Sequence, residues 1–81
     1  ALSRALQAAE SAIGAGERDA GRIRERALAA MNDFGVEPEY LELVAPETLE
    51  PVTTVNGRVL VAVAARIGGT RLIDNTLVTT T

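Results

Sequence analysis

The stretch that most constrains this chain is an unbroken apolar run, Val59-Leu60-Val61-Ala62-Val63-Ala64-Ala65, followed closely by Gly68-Gly69. A membrane-spanning helix needs about 20 such residues, so the run is too short to cross a bilayer. Its valine content predicts a strand, and the lack of alternation predicts one buried on both faces. The glycine pair supplies the positive φ angles of a tight hairpin turn. Extended chain resumes at Thr70 and turns polar at Arg71, Asp74 and Asn75, so a second strand over Leu72–Val78 is expected.

Upstream the apolar period is helical. Leu2, Leu6, Ala9 and Ile13 form one stripe of a first helix expected over Ser3–Ala15, which Gly14 and Gly16 weaken and end. Asp19 suits the N-cap of a second helix, because its carboxylate can accept from free first-turn amides. That helix should bury Ile23, Ala27, Ala30, Met31 and Phe34 and stop at Gly35. The short joint implies an antiparallel helix pair. From Glu37 the period becomes extended, with Leu41 and Leu43 on one face of a strand over Tyr40–Val44 and Tyr40 and Glu42 on the other. Pro46 and Pro51 bracket a turn at Glu47–Glu50, and Asn56-Gly57 marks another. The Thr79-Thr80-Thr81 end should fray. The predicted fold class is α+β: a two-helix hairpin packed on a three-stranded, mainly antiparallel sheet, with helices on one face and the other partly open.

At 81 residues the chain is one domain, 1–81, small enough to be marginally stable by itself. It has no cysteine and no histidine, which removes disulfides and the usual transition-metal ligands. Every cationic side chain is arginine, and the net charge is −3. That balance argues against nucleic acid as a partner, since phosphate-backbone binding needs a coherent basic surface. Arg22, Arg24 and Arg26 do not make one, because 24 leaves a different helix face from 22 and 26, and Glu25 can pair with Arg22. The absence of a signal or transmembrane run leads us to expect a cytoplasmic protein with no membrane partner.

Few residues suggest chemistry. Glu37, Glu39, Glu42, Glu47 and Glu50 have no spacing that demands an acid–base pair, so a charged surface is the better reading. Gly68-Gly69 does not read as a phosphate cradle, because a strand and not a helix follows it. Arg66, Arg71, Asp74 and Asn75 are the site candidates. Arg71 and Asp74 are an odd number of positions apart, so they should leave opposite faces of the strand. Arg66 and Arg71 flank the turn and could meet there or point at an anion. A structural salt bridge to a helix carboxylate is the plainer reading. No catalytic residue and no metal ligand is assigned.

The segment Val63 to Asn75, VAARIGGTRLIDN, resembles the closing hairpin of the pantothenate synthetase (pantoate–β-alanine ligase) family, V-A-A-R-L-G-x-T-R-L-I-D-N. Ile67 replaces the commoner leucine, and Gly69 fills the variable position. Ala15-Gly16-Glu17-Arg18-Asp19 resembles the family's A-G-E-R-D joint. Glu39 to Leu43 resembles its D-Y-L-E-L strand, and Pro46-Glu47-Thr48-Leu49 its D-P-E-x-L turn. The family's ATP-handling H-x-G-H and K-M-S-K-S-like motifs do not appear, and Ala1-Leu2-Ser3-Arg4 resembles the helix that follows the second of them.

The resemblance implies the C-terminal, lid-like domain of a ligase whose N-terminal catalytic domain is a separate part. Such a ligase joins pantoate and β-alanine through a pantoyl adenylate, with ATP and magnesium serving the parent enzyme, typically a homodimer. By this reading the chain alone binds neither and is inactive. It also places Arg66, Arg71, Asp74 or Asn75 at the domain interface. The alternative is a free-standing α+β interaction or small-ligand-sensing module without catalysis.

Overall fold

In a computed structural model, residues 2–33, 35–36 and 38–80 are described. The elements run α1 (Leu2–Gly14), α2 (Ala20–Asn32), β1 (Pro38–Val44), β2 (Arg58–Ile67) and β3 (Thr70–Thr79). The sheet order is β1-β2-β3, antiparallel throughout, and both helices lie on one face. α1 packs on β2 and β3, and α2 on β1.

The helix pair follows from its end residues. Gly16, at φ 103°, lets the Glu17 and Gly16 N–H groups reach back to the Ala12 and Ile13 carbonyls, both at 3.0 Å. This double closure satisfies carbonyls that a helix end otherwise leaves bare. Arg18 Nη1 adds a bond to the Ile13 carbonyl at 2.8 Å, placing a cation at the negative helix end. Asp19 caps α2 as expected, accepting from Gly21 N–H at 2.9 Å and Arg22 N–H at 3.3 Å. α2 ends at Asn32, and Gly35 closes it through its N–H to the Asn32 carbonyl. Ala30 is half-buried and not a core residue; Phe34 lies outside the described residues. Arg22 approaches Glu17 of the interhelical joint, at 3.9 Å, and not the expected Glu25.

The core is a two-layer sandwich of helix stripe and sheet face. Ala5, Ala9, Ile23, Ala27 and Met31 meet Leu41, Val61 and Val63, all with no exposed surface. Small alanines on the helices let the backbones sit close to the valine-rich strand. Val55, in the loop before β2, plugs the same core. Its N–H bonds the Arg18 carbonyl at 2.8 Å, while Ala20 N–H bonds the Thr53 carbonyl at 3.0 Å. The interhelical joint is thereby tied to the loop.

Burial of the apolar run on both faces does not occur. Val59, Val61, Val63 and Ala65 are buried under the helices, whereas Leu60 and Ala62 on the other face are half-buried. The chain supplies one helical layer, and an antiparallel sheet tolerates a bare second face. Ala64 is buried on that second face because Tyr40 and Ile73, its register partners, flank its short side chain.

Several boundaries differ from expectation: β1 begins at Pro38 and not Tyr40, and β3 at Thr70 and not Leu72. The turn is Gly68-Gly69 as expected, at φ 58° and 84°, the positive pair of a type I′ hairpin. The C-terminal end is pinned at Thr80, with Thr81 outside the described residues. Thr80 Oγ1 accepts from Gly57 N–H at 2.8 Å and donates to the Gly57 carbonyl at 2.9 Å, and Thr80 N–H bonds that carbonyl at 2.7 Å.

Candidate functional site

Strand register decides which side chains share the open face. Val63 pairs with Leu41 and Asp74, and Val63 points to the helices, so odd positions of β2 and even positions of β3 share that side. The opposite face carries Arg66 beside Arg71, then Ala64 between Tyr40 and Ile73, then Ala62 between Glu42 and Asn75. Leu60, between Val44 and Leu77, completes it. Ile73 is 57% exposed and Leu77 48%, an apolar surface that the chain's own helices do not cover.

At the turn end of this face, Arg66 and Arg71 are direct cross-strand partners. Like charges placed so are mutually repulsive. A carboxylate sits between them: Glu39 Oε1 lies 3.6 Å from Arg66 Nε and 3.1 Å from Arg71 Nε, the latter a hydrogen bond. The expected helix carboxylate is therefore replaced by one from the neighbouring strand. The physical device is a bulge. Pairing slips between Pro38, opposite Ala65, and Tyr40, opposite Ala64, which leaves Glu39 as an extra residue. A bulge re-aims the side chain it carries, here toward both arginines.

The four candidates do not form one site. Arg66 and Arg71 meet through Glu39. Asn75 shares their face but lies further along β3, past Ile73. Asp74 leaves the helix-side face, as the odd spacing requires, and its Oδ1 accepts from Asn75 N–H at 2.9 Å. Glu39 is the site residue that sequence reasoning set aside as surface charge. The available signal was its place at the acidic position of the D-Y-L-E-L-like strand.

Other features are structural. A cleft of about 520 Å³ beside the start of α2 is lined by Asp19, Arg24, Leu43, Pro51 and Thr53, among others. Two of its charged groups are already engaged, Asp19 as the cap and Arg24 Nε on the Leu41 carbonyl at 2.8 Å. Among the described residues, no cluster of three or more acidic side chains could hold a metal ion. Among the described residues, no helix is long and apolar enough to cross a membrane.

Comparison with known proteins decides the lineage. Residues 1–77 match the family model described as pantoate-beta-alanine ligase. The chain belongs to the pantoate–β-alanine ligase family. Within it, the chain is 42% identical over 78 residues to pantothenate synthetase of Pseudothermotoga lettingae, an alignment covering 95% of this chain and 28% of that protein. Against pantothenate synthetase of Acidobacterium capsulatum it is 48% identical over 77 residues, covering 94% and 26%. The fold agrees with the crystal structure of pantothenate synthetase from Thermus thermophilus, at TM-score 0.85 and 32% identity over 93% of this chain and 27% of that one. The chain thus corresponds to the C-terminal part of these enzymes and spans about 28% of their length.

Proposed function

We propose that these residues form the closing domain of an ATP-dependent, AMP-forming ligase that condenses pantoate with β-alanine. The supporting observation, beside family membership, is the uncovered apolar sheet face with an arginine pair at its end. A chain that spans about 28% of its relatives has a large remainder against which such a face can pack.

The chemistry explains why a cover is needed. In the first step the pantoate carboxylate attacks the α-phosphorus of ATP, forming pantoyl adenylate and releasing pyrophosphate. In the second the β-alanine amine attacks the acyl carbon, AMP leaves, and the amine gives up a proton. Water competes for the same acyl carbon, so the intermediate survives only where solvent is excluded. The apolar face with Ile73 and Leu77 suits a wall. Magnesium and the acid–base groups belong to the remainder of the ligase, which we take to be a cytoplasmic homodimer, and the substrates lie between that remainder and this domain.

The full-length protein should then convert ATP, pantoate and β-alanine to AMP, pyrophosphate and pantothenate. Residues 1–81 alone should give none. A version lacking residues 1–81 but retaining undiminished kcat/KM would refute the closing role.

A further inference from the structure

We infer that Arg66 and Arg71 form an oxyanion-binding clasp in which the Glu39 carboxylate occupies the ligand's place. Three observations carry this. First, one arginine suffices to hold one carboxylate, yet two stand directly opposite each other on adjacent strands, an arrangement that is repulsive without an anion between them. Second, Glu39 serves both through the single atom Oε1, at 3.1 and 3.6 Å, and only the shorter contact is a hydrogen bond. Charge-assisted N–H···O bonds settle near 2.7–2.9 Å, so both guanidiniums are under-used. Among the described residues the cluster keeps one positive charge in excess, and neither arginine's terminal nitrogens donate a hydrogen bond. Third, the group is reachable, with side chains 63% and 45% exposed on the arginines and 37% on Glu39.

The surroundings narrow the ligand class. The arginines stand on paired strands next to a tight turn, so their bases are fixed relative to each other. Beside them on the same face lie Tyr40 and exposed Ile73. The fitting ligand is a carboxylate or phosphate oxyanion attached to an organic body. On the ligase reading, on which this identification rests, the source is the polyphosphate of ATP or the carboxylate of pantoate.

Sign separates a clasp from an ordinary ion pair. In a clasp Glu39 competes with the ligand, so Glu39→Gln should tighten anion binding by a few-fold. Arg66→Gln and Arg71→Gln should each weaken it by about tenfold, the loss of one charge-assisted hydrogen bond. A structural ion pair moves all three variants in one direction, together with the melting temperature. The experiment uses full-length wild type and the three variants, titrated with inorganic pyrophosphate and separately with acetate at constant ionic strength. KM for ATP and for pantoate is measured in parallel. Opposite shifts for the glutamate and arginine variants establish the clasp, and the substrate whose KM follows them identifies the source. Shifts in the same direction, or none, overturn it. An inactive full-length protein would instead defeat the ligase reading, while the pyrophosphate and acetate titrations still judge the clasp.

Discussion

Truncating Ile23 to alanine probes what holds α2 to the sheet. Ile23 has no exposed surface and sits in the first turn of α2, in the stripe that faces the strands. The change deletes three carbon atoms; at about 0.8 kcal/mol per buried methylene this removes roughly 2.4 kcal/mol of transfer energy. The residual cavity adds to that, because β1 and the two packed helices limit collapse, so a loss of about 3–4 kcal/mol is expected within the measured range for such truncations. An 81-residue domain has a total stability of roughly 4–12 kcal/mol, so the loss is a large fraction of the whole. Urea unfolding of residues 1–81, followed by far-ultraviolet circular dichroism, should show a midpoint moved strongly down with an unchanged slope. Arg26→Ala, on the exposed side of the same helix, is the control and should stay within about 0.5 kcal/mol. A loss under about 1 kcal/mol for Ile23→Ala, or equal losses for both variants, would refute the idea that this stripe docks the helix.

Two further substitutions address the chain's end and its open face. Thr80→Val keeps the side chain's shape but removes the hydroxyl that both donates to and accepts from Gly57. It should cost about 1 kcal/mol and speed hydrogen exchange at the Gly57 amide; unchanged exchange there would show that the clamp contributes nothing. Ile73→Thr keeps a β-branched residue at an exposed strand position, so residues 1–81 should lose no more than about 0.5 kcal/mol. On the proposed closing role, the same change in the full-length protein should raise AMP release relative to pantothenate formed. An unaltered ratio would argue against this face as the wall of the closed site.

The elements of this fold were legible because each rests on local chemistry. Asp19 can cap α2 from its own position, Gly68 and Gly69 adopt the turn's angles without a Cβ penalty, and the 3.6-residue stripe of Leu2, Leu6, Ala9 and Ile13 announces its buried face. The odd spacing of Arg71 and Asp74 likewise separates them by pleat geometry alone. The family was legible too, since its hairpin pattern lies on consecutive residues. What lay beyond reach depends on how strands are registered and layered. An apolar run says that a strand is apolar, but whether one face or both are covered depends on how many layers the rest of the chain provides. The meeting of Glu39 with Arg66 and Arg71 needs a bulge after Pro38 and a pairing across 27 and 32 positions of chain. Local propensity determined the pieces; only the antiparallel register, set when the sheet assembled against its helices, placed two guanidinium groups on one carboxylate.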